Sequence, residues 1–570
     1  MTRHKGAEQP IDDRREDSAV SIGAQTHQVF NQPPPLEDFN TYTADRPLMD
    51  ALKYGGGEWG EAQVAGLGAL LGQAQWIERG FRANENKPVL RSHDRYGHRI
   101  DRVDFHPAYH ELMALAIEHN IHALPWSGPQ PGAHAVRLAM NYLYNQNEAG
   151  TACPLTMTFA CVPALQKTPA LADTWLPKVF SREYDPDFAP IENKRGATIG
   201  MAMTEKQGGT DVRANTTTAI PETGDEGPGA AYALVGHKWF CSAPMSDAFL
   251  TLAQTDQGLT CFLLPRWRPD GSLNAFHIQR LKDKMGNRSN ASSEVEFRGA
   301  HARMLGDPGR GVPTIIEMVA LTRYDCMIGS TSLMRQAVAQ VTHHIAHRDV
   351  MGKRLIEQPL MQNVAADLCL EVEGALAMTM RLAMAMDRPG DEREQQLVRL
   401  ATAVGKYWIC KRATQHIGEA QECLGGIGYV EESVMARLYR EAPVNSIWEG
   451  SGNVQCLDVL RAVSRAPEVL EVFLEELHRA RGRHSDYDRS LDAVVAAFEE
   501  RDNLEYRARG LVEHMARQMQ ACQLLLMGDE QVADAFCSAR LGVQRGLSFG
   551  NLPATVDCAA LIERARPELA

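Results

Sequence analysis

Three segments of this chain carry residue types that do chemistry at spacings chemistry needs. The first is Met201-Ala202-Met203-Thr204-Glu205-Lys206-Gln207-Gly208-Gly209-Thr210-Asp211, an apolar strand running into a tight glycine turn. Glycines there let backbone N–H groups approach an anion or a planar ring, and Thr204 and Thr210 supply hydroxyl donors. The second is Gly236-His237-Lys238-Trp239-Phe240-Cys241-Ser242, a strand with consecutive aromatics that core packing alone would also explain. The third is Ile447-Trp448-Glu449-Gly450-Ser451-Gly452-Asn453, which leads into the helical stretch VQCLDVLRAV. A carboxylate between a tryptophan and a glycine turn at a helix start is either a cap or a base whose pKa apolar neighbours raise.

Periodicity says what positions these segments. Residues 1–25 read as a disordered tail. From 26 to 195 the apolar residues of LMALAIEHNIHAL and HAVRLAMNYLYNQN recur at three and four, which predicts helices. Gly55-Gly56-Gly57 lacks the Lys-Ser/Thr pair and the preceding strand of a phosphate loop and reads as a plain loop. Over 196–306 the period becomes two, in short apolar segments separated by Gly, Pro and Asp, which predicts an antiparallel β-domain. Helical spacing returns over 307–464, and a further helical unit is expected over 465–570. The order is α, β, α, α: an α+β chain, mainly α, without the βαβ alternation of a dinucleotide-binding fold.

Bulk properties narrow the class. The chain has 570 residues, a formal charge of −13 and 12 cysteines without a CxxC pair. That balance argues against a generally basic nucleic-acid binder, and scattered thiols suit a reducing, cytoplasmic setting. The polar start shows no secretory leader, and no run of about 18 apolar residues suggests a membrane span. His343, His344 and His347 share a helix, yet no HExxH pattern accompanies them, so no metal site is expected.

In this order and at these distances the three segments, with Leu424-Gly425-Gly426-Ile427-Gly428-Tyr429 and Arg348-Asp349-Val350-Met351-Gly352-Lys353, resemble the acyl-CoA dehydrogenase family. The resemblance implies a helical N-terminal domain, a middle β-domain and a helical bundle, FAD as cofactor, an acyl-CoA thioester as substrate and assembly as a homotetramer. It implies that Met201, Met203, Thr204, Gly209 and Thr210 lie along the flavin, with Phe240, Cys241 and Ser242 on its other side. Ile447, Gly450, Ser451 and Asn453 fall near the cofactor, and Arg348 matches an arginine that reaches the FAD of a neighbouring subunit. Glu449 takes the position of the catalytic base. Removing an α-proton from a thioester needs a carboxylate in a desolvated pocket, while the flavin accepts the β-hydride.

Further blocks, THQVFNQPPPLEDFN, CPLTMTFA at 153–160, LKDKMGNRSNASSEVEF at 281–297 and PVNSIWEGSGN at 443–453, resemble the AidB-like branch of that family. The resemblance implies double-stranded DNA as a partner, protection of DNA from alkylation, and weak dehydrogenation of isovaleryl-CoA-like thioesters. Trp448, larger than the usual residue before the base, implies a narrowed acyl pocket, and Arg461 matches an arginine close to the flavin. The chain also continues about 100 residues past the usual family end. That extension holds 13 Arg, no Lys and 18 Asp or Glu, a balance of −5. Its arginines cluster at Arg479, Arg481, Arg483 and Arg489, and at Arg501, Arg507, Arg509 and Arg517. A DNA face built from them requires the carboxylates to be segregated onto the opposite side.

Overall fold

Helices occupy most of residues 46–85 and 107–179, and they are interrupted by a hairpin that the helical expectation did not include. Its strands, β1 (Val89–His93) and β2 (Arg99–Asp104), pair antiparallel and turn at Gly97, whose φ is +87°. The structure is a computed structural model that describes residues 26–222, 224–500, 502–543 and 546–568. The tail expected over residues 1–25 and the expected DNA contact Arg501 lie outside the described residues. Helix α1 (Ala133–Asn147) is buried along its whole length, and α2 (Ala152–Ala160) follows it. Gly55-Gly56-Gly57 closes the helix Arg46–Tyr54 as a loop.

The middle of the chain is a seven-stranded sheet of β3 (Ile199–Ala202), β4 (Thr218–Pro221), β5 (Ala231–Ser242), β6 (Ala248–Thr255), β7 (Gly258–Pro265), β8 (Phe276–Leu281) and β9 (Ser292–Leu305). β6, β4, β5, β9 and β7 pair in that order and β7 returns to β6, so the path closes on itself. Pairing is antiparallel except that β3 and β4 run parallel to β6, a departure from the purely antiparallel expectation. The reason is connectivity: β3 leaves through the glycine turn, and β4 and β5 intervene before β6, so no hairpin joins the two. The register between β5 and β9 shifts between Lys238 and Cys241, which puts Trp239 and Phe240 in a bulge.

Beneath that turn lies a buried ion pair. Lys238 Nζ donates to Glu205 Oε1 at 2.9 Å and to the Leu252 carbonyl at 2.9 Å. Glu205 also accepts from Thr216 N at 2.7 Å and from the Thr217 hydroxyl at 2.6 Å. Burial alone would raise the Glu205 pKa, but Lys238 and these donors outweigh it and hold the carboxyl well below the usual range. Removing one member would leave an uncompensated buried charge, at about 3–5 kcal/mol.

A helical bundle follows: α3 (Gly311–His347), α4 (Pro359–Met386), α5 (Glu392–Cys423), α6 (Val434–Asn445) and α7 (Gly452–Arg465). α3 and α5 approach closely at Gly405, where a Cβ would stand 2.4 Å from Met327 Cε. Helices continue past Pro467 through α8 (Leu504–Met527) and α9 (Cys558–Ala565). Arginine–carboxylate links fasten them to α4. Arg381 donates to Glu476 at 2.8 and 3.1 Å, Arg540 bonds Asp367 and Glu371, and Arg564 meets Glu373 at 3.0 Å. One apolar core runs from the first helices through the bundle into these last ones. Among the described residues, no helix is long and apolar enough to cross a membrane.

Candidate active site

α6 is capped by Ser433, whose hydroxyl accepts from Met435 N, and ends at Asn445. The chain then reverses through two left-handed residues, Glu449 at φ 57° and Gly450 at φ 102°, before α7 begins. Glycine adopts that conformation freely, but at a glutamate it costs about 1–2 kcal/mol. Surrounding side chains hold the turn in place. Lys406 of α5 donates to the carbonyls of Trp448 at 2.8 Å and Gly450 at 2.5 Å. Between them, the Glu449 carbonyl accepts from Arg323 Nε of α3 at 2.9 Å and from Gln455 Nε2 of α7 at 3.1 Å. Arg323 is itself fixed by Asp458 at 2.7 Å. Three helices therefore grip three consecutive carbonyls, and the Glu449 side chain is left pointing at α3.

There its Oε2 accepts from the Thr322 hydroxyl at 2.9 Å. Burial pushes the Glu449 pKa up, while the Thr322 bond and the charges of Lys406 and Arg323 oppose the rise without cancelling it. The neighbouring Trp448 packs against an apolar cluster that includes Cys153, Met157, Ala243 and Met318, with Leu321, Met201 and Met203 on the same cluster. The buried Cys153 thiol feels the charge of Glu449 and lies against Ser242 of β5. Carboxylate and strand hydroxyl thus both lie near Cys153 at the edge of one apolar cluster.

Several of the other expected cofactor residues lie on the glycine turn and on the neighbouring strand β5. The Thr204 carbonyl accepts from Trp239 N at 2.7 Å, which ties the glycine turn to the β5 bulge. At Gly209 a Cβ would stand 2.5 Å from Thr204 Oγ1, so the turn needs glycine there. Thr210 is exposed beside it, Cys241 is buried, and the Ser242 hydroxyl is 3.3 Å from that of Ser292. Phe240 is 49% exposed and Ile447 63%, large apolar faces of the kind a planar ring would cover. With half-buried Met201, Met203, Thr204 and Ser242, they form a cradle suited to a flavin.

Several expected residues stand apart. Ser451, Asn453 and Arg461 are exposed at the start and along α7. Arg348 caps the end of α3 and donates to the Asn31 carbonyl of its own chain at 2.6 Å. His343 Nε2 meets the Pro34 carbonyl at 2.8 Å, and among the described residues no cluster of three or more His, Cys, Asp or Glu could hold a metal.

The arginine clusters correct the segregation that a DNA face requires. Arg479 pairs with Glu476 at 3.0 Å, Arg481 with Asp492 at 2.8 Å, Arg507 with Glu500 at 3.3 Å and Arg517 with Glu513 at 3.5 Å. Arg489 pairs with Asp486, Arg483 donates to the Leu525 carbonyl at 2.7 Å, and Arg509 meets the Tyr407 hydroxyl at 3.3 Å. Carboxylates are interleaved with the arginines because the helices use i,i+3 and i,i+4 pairs and short loop contacts.

Thr322, Arg323, Lys406 and Gln455 were missed by sequence reasoning. Lys406 offered one signal, a charged residue inside the apolar run of AVGKYWIC.

The chain resembles known proteins along most of its length. Residues 31–186 match the adaptive response protein AidB N-terminal domain, 200–300 the acyl-CoA dehydrogenase middle domain and 309–464 the acyl-CoA dehydrogenase C-terminal domain. The chain is 44% identical over 525 residues to the putative acyl-CoA dehydrogenase AidB of Escherichia coli, covering 92% of this chain and 96% of that one. It is 29% identical over 454 residues to acyl-CoA dehydrogenase family member 11 of Caenorhabditis elegans, covering 75% and 72%. The crystal structure of Caenorhabditis elegans ACDH-11 in complex with C11-CoA superposes with a TM-score of 0.80 at 25% identity, covering 97% of this chain and 95% of that one. The chain belongs to the acyl-CoA dehydrogenase family, on its AidB-like branch, and is an FAD-dependent oxidoreductase of that type.

Proposed function

We propose that Glu449 removes the α-proton of a short or branched acyl-CoA thioester bound against Trp448. The observation that carries this reading is a carboxylate held in a left-handed turn by Lys406, Arg323 and Gln455, bonded to Thr322 and beside the apolar cluster on which Trp448 packs. Bound FAD supplies the acceptor for the β-hydride, so the substrate leaves as an α,β-unsaturated thioester. Met201, Met203, Thr204, Gly209 and Thr210 would hold the ring from the glycine turn, with Phe240 and Ser242 of β5 and Ile447 and Gly450 of the base turn beside them; Cys241 would back β5 from within, and Ser451 and Asn453 would meet the cofactor only beyond the ring. ACDH-11 bound to C11-CoA supports an acyl-CoA ligand, and the indole of Trp448 restricts which acyl chains fit here.

Thr322 completes the proton chemistry. Its single hydroxyl proton faces two acceptors, Glu449 Oε2 at 2.9 Å and the Val319 carbonyl at 3.0 Å. While Glu449 is ionised, the hydroxyl donates to it. Once Glu449 holds the substrate proton, it donates to Thr322 Oγ1 and the hydroxyl turns to Val319. The Thr322–Glu449 bond is kept in both states. Arg461, exposed on α7, remains a proposed contributor near the flavin, and Arg348 a proposed contact to the FAD of a neighbouring copy in a homotetramer.

A second reading, double-stranded DNA binding in protection from alkylation, rests on the AidB-like relationship. The interleaved arginines of 479–517 weigh against their forming its surface.

Glu449→Gln should retain FAD and lose turnover by at least about 10³-fold, measured with an artificial electron acceptor and C4 or branched C5 thioesters. A wild type that oxidises long-chain thioesters fast would reject the narrowed pocket. Thr322→Val removes a donor that favours ionised Glu449, so the acid limb of kcat/KM against pH should move to higher pH by about one unit. A downward shift would contradict the assigned hydrogen bond. At about 150 mM salt, duplex DNA should bind no tighter than about 10⁻⁵ M in an anisotropy titration. Submicromolar affinity that Arg479→Ala, Arg481→Ala and Arg483→Ala together weaken without loss of FAD would instead establish a DNA face there.

A further inference from the structure

Trp448 narrows the acyl site only while its ring keeps one orientation, and a single neighbour sets that orientation. The indole Nε1–H donates to Asn445 Oδ1 at 3.1 Å. Asn445 is the last residue of α6 and only 7% exposed, so it cannot swing out to solvent without unpacking. Its amide lies along α3 at Gly329, where a Cβ would stand 3.5 Å from Asn445 Nδ2 and 3.4 Å from Asn145 Oδ1. Asn145 of α1 is anchored in turn, its amide donating to the Asn141 carbonyl at 2.8 Å and to Asn141 Oδ1 at 2.9 Å. The acceptor for the indole therefore sits buried where the end of α6 packs beside α1 and α3.

The other side of the ring has no comparable restraint. Trp448 is half-buried and packs against the apolar cluster that includes Cys153 and Met157. Apolar contact does not choose between indole rotamers of similar burial, whereas one N–H bond to a buried acceptor shifts their populations by about fivefold to tenfold. The backbone of Trp448 is separately held through Lys406. Asn445 thus acts on the ring and not on the base.

We infer that Asn445 determines acyl-chain length: its side-chain carbonyl holds the Trp448 indole across the pocket, which admits short or branched acyl groups and excludes long straight ones. This rests on the acyl-CoA reading above. Asn445 is a positioning residue, acting through Trp448 without touching substrate.

The test uses the FAD-loaded full chain and S-alkyl-CoA thioethers from butyl to dodecyl, with binding followed by the flavin absorbance. Asn445→Ala and the near-isosteric Asn445→Leu both remove the acceptor, and either should raise the dodecyl-to-butyl affinity ratio by about tenfold. Asn445→Asp keeps an acceptor and should leave the ratio within about twofold of wild type. Trp448→Ala should shift the ratio as the acceptor-less variants do, and adding Asn445→Leu to it should shift it no further. An unchanged ratio in both Asn445→Ala and Asn445→Leu, with a shift in Trp448→Ala, would overturn the role of Asn445 and spare the acyl-CoA reading. Failure of every thioether to bind both wild type and Trp448→Ala would overturn the acyl-CoA reading and this inference with it.

Discussion

The site depends on one buried ammonium. Lys406, 1% exposed in the middle of α5, spans the carbonyls on either side of Glu449. Without it the Trp448 carbonyl would lose its side-chain donor and Gly450 would keep only Gln455, leaving a glutamate at positive φ with fewer bonds to keep it there. An ammonium is also a charge, and placing it within reach of the carboxylate limits how far burial can raise the pKa of Glu449. The same residue therefore fixes the shape of the turn and keeps the base usable. Arg323, neutralised by Asp458, does the second job more weakly and the first for the middle carbonyl.

The remainder of the fold serves that arrangement by bringing α3, α5 and α7 together at one point. Gly405, next to Lys406, lets α5 approach Met327 of α3, which sets how deep the ammonium sits. In the middle domain the buried Glu205–Lys238 pair performs a parallel service for the glycine turn, anchoring a surface loop to β5 from beneath. The helices beyond Pro467 add a third layer, and their arginines are largely spent on holding it. Arg540 and Arg564 reach carboxylates of α4, and Arg479 shares Glu476 with Arg381.

What was legible in the sequence was what is local. Glu449 between Trp448 and Gly450, the glycine turn at 208–209 and the change from period two to period 3.6 near residue 307 are short-range patterns, and each maps onto a short-range structure. Thr322 acts on Glu449 from 127 positions away, and inside a helical run a threonine looks like any other helix residue. Lys406 reads as a surface lysine until α5 is known to be enclosed. The β1–β2 hairpin escaped because Arg91, His93, Arg99 and Arg102 mask its alternation, leaving few apolar residues to mark a period. The arginine clusters were visible as clusters, but whether an arginine faces solvent or the carboxylate three residues away is decided by packing, which composition does not record.

The central claim is that Glu449 is the group that takes the α-proton, and exchange of that proton isolates the step from everything the flavin does. The FAD-loaded protein is incubated in deuterium oxide with butyryl-CoA under anaerobic conditions, and the α-protons are followed by NMR. The account predicts deuterium entering the α-position with the wild-type protein and not with Glu449→Gln, at equal FAD content. Exchange at the same rate in both proteins would contradict it.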